Sequence, residues 1–400
     1  MVHRPSATSA GGLLQLIRET GGLTRHDLLE QTGMSRTTLY ERLDRLVRAG
    51  LIRESGREQS TGGRPAKIVS FDDRDKVVLA IDIGHTRCLV SICGLDGSCL
   101  GERLIHRDGE DLRALTDQVA LIGRHLLSGL PGRRVIGVGL AIPAPVEAST
   151  GARRATFALP DTDYPLVQEL SARFGVPVSV ENDARALALG ESLCGPAHAS
   201  GVVLGVKYSS GVAMGIVTEG SVMRGSTGSA GQIGHVRLDP EGPPCRCGGR
   251  GCLTEYVSGR ALVRDLGRAD VAAVDDLARA VDNRDPEVVE AVRRAAALLG
   301  RSLGAIVQAA DPGLVVFGGR LGRHPMVASL LAEQARAYSS VAVHRQTVFR
   351  AAQLGHRSGS VGLTAIVCDN TLNPARIDGL LDSADPPPRL GTMCEAVGGA

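Results

Sequence analysis

The chain has 400 residues, 45 Lys+Arg against 43 Asp+Glu, with 43% hydrophobic and 22% charged residues, a composition that excludes intrinsic disorder and leaves room for two or three domains. No apolar run approaches the ~18 residues a membrane span needs, and the N-terminal Met1-Val2-His3-Arg4-Pro5-Ser6 lacks a signal peptide's greasy stretch, so a cytoplasmic protein is expected. Nine cysteines, an odd number in a long chain, argue against a disulfide framework and direct attention to metal ligation.

The near-zero net charge is an average. Residues 1–70 hold 11 Lys/Arg against 7 Asp/Glu, and the remainder holds 34 against 36, the sign asymmetry expected when one end meets nucleic acid. In that basic end, Leu13, Leu14 and Ile17 mark one helix, Leu28 and Leu29 a second, and Leu39, Leu43, Leu46 and Val47 a third. Gly21-Gly22 and Thr32-Gly33 break the pattern between them; Ser35 suits the third helix's N-cap and Gly50 its stop. Leu51–Ser55 and Lys67–Ser70 then read as two short strands around the Thr61-Gly62-Gly63-Arg64-Pro65 loop, a hairpin wing. Asp72 to Lys76 reads as a charged linker.

From Val77 strand-like runs (77–83, 88–93, 135–142, 176–180, 202–206, 212–217, 314–317) alternate with helical patterns (183–193, 259–266, 271–281, 286–310), which predicts an α/β fold of two lobes. Pro177 confines the fourth run to a sheet edge or a strand start. No simple repeat of 20 to 50 residues is evident. The expected boundaries are 1–72 for a winged helix-turn-helix and 77–382 for the larger domain. Within the latter, lobe 1 covers about 77–195 and lobe 2 about 196–360, with a C-terminal helix returning to lobe 1. Residues 383–400, with Pro386-Pro387-Pro388, form a flexible tail.

In a winged helix the third helix enters the major groove with its N-terminal turns facing base edges. Here those turns offer Arg36, Thr37, Thr38, Tyr40 and Arg42, while Arg64 would reach a minor groove and Arg53, Arg57 and Lys67 would hold phosphates. The same helices would also suit a module that docks on the second domain or on a partner protein. Further along, Cys245, Cys247 and Cys252 lie within eight positions in a glycine-rich turn, and His235 supplies a fourth donor for a closed, structural Zn²⁺ site. The other six cysteines (Cys88, Cys93, Cys99, Cys194, Cys368, Cys394) need no special role.

Taken in order, five features resemble the ROK family of repressors and sugar kinases, specifically its winged-helix regulators, over about residues 10–375. They are Asp82-Ile83-Gly84-His85-Thr86, Glu181-Asn182-Asp183-Ala184-Arg185, Gly231-Gln232-Ile233-Gly234-His235, the cysteine cluster, and Gly318-Gly319 after a strand. The resemblance implies an actin/hexokinase-like domain of two α/β lobes around a cleft. It implies a ligand site of Asn182, Asp183, Gly211, Gln232, His235, Thr254 and Glu255, and a nucleotide site of Asp82, Gly84, Thr86, Ser210, Gly318 and Gly319. In the family's kinases the aspartate matching Asp183 is the general base for the sugar hydroxyl, although Asn182-Asp183 also suits a helix cap.

Departures from the kinase pattern bear on activity. His85 replaces a phosphate-turn glycine, Tyr208-Ser209-Ser210-Gly211 replaces Gly-Thr-Gly, and Gln232 and Thr254 stand where carboxylates are usual. The expected function is a DNA-binding regulator, a repressor, with a degenerate kinase domain that senses a sugar or sugar-phosphate effector and works as a homodimer or homotetramer on operator DNA. An active sugar kinase and a regulator without a ligand are the alternatives.

Overall fold

The computed structural model describes residues 8–55, 67–107, 111–146, 163–194 and 201–383. Of the expected tail only Ser383 is among them, and Arg57, Arg64 and Cys394 lie outside the described residues.

The N-terminal module consists of α1 (Ala10–Thr20), β1 (Leu23–Thr24), α2 (Arg25–Thr32), α3 (Arg36–Arg48), β2 (Ile52–Ser55) and β3 (Ile68–Phe71), the strands joined in the order β1-β3-β2. Side-chain caps start its helices: Ser9 accepts from Gly12 N, Thr24 forms a capping box with Asp27, and Ser35 accepts from Thr38 N. Leu13, Leu14, Ile17, Leu28, Leu39, Leu43 and Leu46 turn inward and are buried.

The first lobe holds β4 (Lys76–Ile83), β5 (Arg87–Gly94), β6 (Cys99–His106), α4 (Leu112–Ser128), β7 (Arg134–Ile142), α5 (Leu166–Phe174) and β8 (Val178–Asn182), with strand order β6-β5-β4-β7-β8. Pro177 immediately precedes the edge strand β8, where its missing N–H removes no ladder bond. After α6 (Asp183–Ser192) come β9 (Val202–Tyr208), β10 (Val212–Thr218), β11 (Ser221–Val222), α7 (Thr254–Val257), α8 (Gly259–Leu266), α9 (Val274–Asp282), α10 (Pro286–Ala310), β12 (Leu314–Gly318), α11 (Gly319–Gly322), α12 (Pro325–Ala337), α13 (Val341–His344) and β13 (Val348–Ala351). Their sheet runs β11-β10-β9-β12-β13. Each of these two five-stranded sheets is an antiparallel three-strand meander followed by two parallel strands, a repeat of topology with no sequence period behind it. The strand β6 escaped the sequence reading because it is an edge strand whose Glu102 and Arg103 break the apolar run.

The chain ends with α14 (Ser358–Thr371) and α15 (Pro374–Asp382). Helices α6 and α14 cross closely enough that a Cβ on Gly190 would overlap Ser358 O, and one on Gly362 would overlap Ala186 O. Beside that crossing, Glu191 is fully buried and accepts from Ser358 Oγ (2.7 Å), Leu354 N (2.9 Å), Gln353 N (3.0 Å) and Arg350 (2.6 Å), tying α6 to β13 and the start of α14.

The reading of Asp72–Lys76 as a charged linker is corrected. Lys76 is fully buried, and its ammonium donates to Gly50 O (2.7 Å), Asp72 O (2.6 Å) and Asp75 Oδ1 (2.8 Å); Asp75 also pairs with Arg134 at 2.6 Å. A charge that gives up water is retained only when fully partnered, so this segment is a fixed joint. The module's core continues into the larger domain through Val78, Ile136, Val367, Cys368, Leu372, Ile377 and Leu381. Asp378 accepts from Gly11 N at 2.7 Å, and Asp382 pairs with Arg45 at 2.5 Å.

Candidate functional site

The first surface is the exposed start of α3. Ser35 spends its hydroxyl on the cap and on Thr38 Oγ1 at 2.8 Å, so Thr38 is half-buried and committed locally. Arg36 and Thr37 project free into solvent. Tyr40 is exposed with the Arg25 guanidinium 4.3 Å over its ring, and Arg25 in turn pairs with Glu54 at 2.6 Å. Arg42 is partly buried with Nη1 3.2 Å from Met34 Sδ. In the wing Lys67 pairs with Glu54 at 2.9 Å and Arg53 lies 3.8 Å from Asp72. The docking contacts to α15 come from α1 and from Arg45 further along α3, which leaves the first turns of α3 uncovered.

The second feature is a cavity of about 640 Å³ between the sheets. It gathers Asp82, Gly84, His85, Thr86, Asn182, Asp183, Ser210, Gly211, Gln232, His235, Thr254, Glu255 and Gly319. Gly318 does not reach it: the residue is packed behind the wall, where a Cβ would overlap Leu187. Gly319, with φ +81°, lies against Tyr208 backbone and needs its missing side chain.

At the start of α6 the cap and the ligand roles meet. Asn182 Oδ1 accepts from Ala184 N (3.1 Å) and Arg185 N (3.2 Å), and its Nδ2 donates to Ala144 O (3.2 Å), so most of its capacity goes to structure. Asp183 accepts from Ala184 N through Oδ1 at 2.8 Å and from Lys207 Nζ through Oδ2 at 2.8 Å. Lys207 also lies 3.7 Å from Asp82 Oδ1. Burial opposes the Lys207 charge, but the two carboxylates outweigh it and hold the ammonium above the ordinary lysine range; burial raises Asp82, with Lys207 pulling the other way. Asp183, which the resemblance matches to a general base, therefore stands in an ion pair at the cavity wall. Lys207 went unread in the sequence, although a lysine inside the apolar run of β9 had to find a partner.

His85 lines the cavity, its Nε2 3.8 Å from the Cβ position of Gly211, and burial pushes its imidazole down to about 4, against the pull of Asp183. That shift favours the neutral imidazole. Glu255, displaced by one position from the kinase carboxylate, is buried between Arg260 (3.0 Å) and Arg264 (3.3 Å).

At the cavity's edge His235, Cys245, Cys247 and Cys252 place one donor atom each within 4.8 Å of one another. His235 Nδ1 is 3.6 Å from Cys245 Sγ, and Cys247 Sγ is 3.6 Å from Cys252 Sγ, close to the edge of about 3.8 Å for a tetrahedron with metal–sulfur bonds of about 2.3 Å. A tight turn sets this up: Gly248 (φ +89°) and Gly251 (φ +64°) take left-handed backbone, and Cys245 N donates to Gly249 O at 2.8 Å. The donor set fits a closed four-coordinate ion.

With module, cavity and cluster placed, residues 78–370 match the profile of the ROK family, and residues 11–53 match a winged helix-turn-helix DNA-binding profile. The chain belongs to the ROK family. Among curated ROK relatives, it is 25% identical to the xylose repressor of Bacillus subtilis (strain 168) over 370 residues, 90% of this chain and 95% of that one. It is 24% identical to the DNA-binding transcriptional dual regulator NagC of Escherichia coli (strain K12) over 392 residues, 94% of this chain and 96% of that one. A ROK family transcriptional regulator, homolog of the E. coli MLC protein, superposes with TM-score 0.75 at 21% identity, covering 94% of this chain and 98% of the other. A ROK family glucokinase from Streptomyces griseus, in complex with glucose and AMPPNP, superposes with TM-score 0.62 at 27% identity, covering 72% of this chain and 98% of the other.

Proposed function

We propose that this ROK protein is a transcriptional repressor that reads operator DNA through Arg36, Thr37 and Tyr40, with Thr38 and Arg42 in support and Arg64 on the wing. Its kinase-like domain serves as a non-catalytic sensor. The observation that carries this reading is the double use of the N-terminal module: one side is fused to α15 and the Lys76 joint, and the opposite start of α3 is left open. No described helix is long and apolar enough to cross a membrane.

The sensor ligand would be a polyhydroxylated, sugar-like molecule in the cavity, hydrogen-bonded by Asp183, Gln232, His235, Thr254 and Glu255 with the amide of Gly211 nearby. The phosphate turn of Asp82, Gly84 and Thr86, with Ser210 and Gly319 opposite, would be a degenerate nucleotide site because His85 stands there in place of a glycine and Lys207 pairs with Asp183. Ligand binding at the start of α6 would bias the α6–α14 crossing, and α14 leads directly into α15, on which the DNA module sits. That is a population shift through rigid elements. A homodimer or homotetramer would present paired recognition helices to half-sites about 34 Å apart.

Selection of bound fragments from the native genome, with and without candidate sugars, tests the proposal. Sequence-specific sites released by a sugar are expected, and weak binding without sequence preference at moderate salt would sink it. Arg36→Ala should weaken the selected site by about 1–3 kcal/mol, measured by fluorescence anisotropy; undiminished affinity would move the base contacts elsewhere. A coupled ADP-release assay across hexoses should give no turnover.

The cluster is read as structural Zn²⁺ held by His235, Cys245, Cys247 and Cys252. One equivalent of zinc is expected by metal analysis, and Cys247→Ser should lose it and lower the thermal midpoint of the domain. Full zinc content in that variant would remove Cys247 from the ligand set.

A further inference from the structure

Beside the open start of α3, four side chains from α2, α3 and the wing are linked into one network. Arg25 is the first residue of α2, fixed there by the Thr24–Asp27 capping box. The sheet order β1-β3-β2 sets Glu54 opposite Val69 and Val69 opposite Leu23, two residues before Arg25, so Glu54 meets Arg25 from 29 residues away in the chain. The Glu54 side chain is 26% exposed and gives one oxygen to each of two cations, Oε1 to Arg25 at 2.6 Å and Oε2 to Lys67 at 2.9 Å. Lys67 holds this carboxyl below the usual carboxylate range, burial opposes it, and Arg25 lowers it further. The Arg25 guanidinium lies 4.3 Å over the ring of Tyr40, which is itself exposed. Arg36, one turn earlier on the same face of α3, is exposed as well.

We propose that Glu54 is a specificity determinant for DNA and that Arg25 is a positioning residue for Tyr40. The proposal rests on Tyr40 being a base-reading residue of α3. A carboxylate on a DNA-facing surface repels phosphates, so it weakens binding to every sequence unless it organises a contact that reads bases. Glu54 has two such effects. It holds Arg25 over Tyr40, and the cation–π contact with the planar guanidinium orders the ring before DNA arrives, which lowers the ordering cost at the groove. It also draws Arg25 and Lys67 toward itself and away from phosphate oxygens, which removes attraction that is blind to sequence. One carboxylate on the wing thereby raises the ratio of specific to non-specific affinity of the recognition helix.

The test uses the full chain and two duplexes, the tightest fragment selected from the native genome and a shuffled duplex of the same length and base composition, each titrated by fluorescence anisotropy over a range of salt. Glu54→Gln keeps the size of the side chain and removes its charge. It should bind the shuffled duplex more tightly, steepen the slope of log K against log salt there by about 1 to 2 as freed cations reach phosphates, and lower the preference for the genomic fragment about 5-fold. Arg25→Met should lower that preference about 5-fold when Tyr40 is present and leave it unchanged in a Tyr40→Ala background, because the brace acts through the ring. An unchanged slope or an unchanged preference in Glu54→Gln would overturn the proposal, as would equal losses from Arg25→Met with and without Tyr40. Full preference in Tyr40→Ala would overturn it too while leaving base reading to Arg36 and Thr37. A wild-type chain that does not prefer the genomic fragment would instead defeat the operator-reading role of α3, and the proposal with it.

Discussion

Replacing Gly190 by alanine should lower the stability of the chain by about 3 kcal/mol, at the upper end of what overpacking costs. On an exposed helix the same change would gain up to about 1 kcal/mol from helix propensity, so the sign is decided by the crossing. The new methyl would overlap Ser358 O, a backbone atom that no rotamer change can move aside, while Glu191 fixes the same turn of α6 to Ser358, Leu354 and Gln353. Helices α6 and α14 would have to separate. Because α6 begins at Asp183 and α14 runs on into α15 under the DNA module, the same variant should uncouple ligand from operator binding. A chemical-denaturation midpoint and an operator titration with and without effector measure both. An unchanged midpoint would show that the crossing is not tight.

Lys207→Met should be at least as damaging, for an electrostatic reason. Methionine keeps the volume of the side chain but removes the cation between Asp183 Oδ2 and Asp82 Oδ1. Breaking a buried pair from one side costs about 3–5 kcal/mol, because the remaining charge stays desolvated. Its pH dependence identifies the cause. Asp82 already sits above the ordinary carboxyl range through burial, and without Lys207 it rises further. A carboxyl whose folded value exceeds its unfolded one binds more protons when folded, so stability rises as pH falls from neutral toward about 4, the unfolded aspartate value. The variant should regain part of its loss over that window relative to wild type. A loss that does not vary with pH would point to packing instead.

Much of the site was legible because its residues are close in sequence. Cys245, Cys247 and Cys252 lie in one glycine turn, Asn182-Asp183 form one cap, and Ser35 to Arg42 form two turns of one helix; local spacing there already dictates geometry. Lys207, Arg87, Arg320 and Arg323 were not legible as a group, because nothing local says that the start of β5 and the turn after β12 face one cavity. Gly318 shows the converse: a motif glycine adjacent to a site residue is spent on packing against Leu187. Thr38 and Arg42 were grouped with the free DNA-facing residues by helical position alone, whereas Ser35 and Met34 engage them locally.

By itself the sequence determined the basic recognition module, the two-lobed α/β class and the cluster of possible metal donors, since these follow from residue type at short spacing, whereas the phosphate-turn departures were read only through the family resemblance. Only the tertiary structure decided how the parts act together. It turned the apparent linker at Asp72–Lys76 into a fixed joint, because a fully buried lysine must be satisfied by carbonyls 4 and 26 residues away in the chain. It placed Lys207 against Asp183, and it paired Arg87 and Arg320 from two lobes with one carboxylate, Asp275. Electrostatic partnership between distant segments depends on distance and burial in three dimensions, and neither is written in local periodicity.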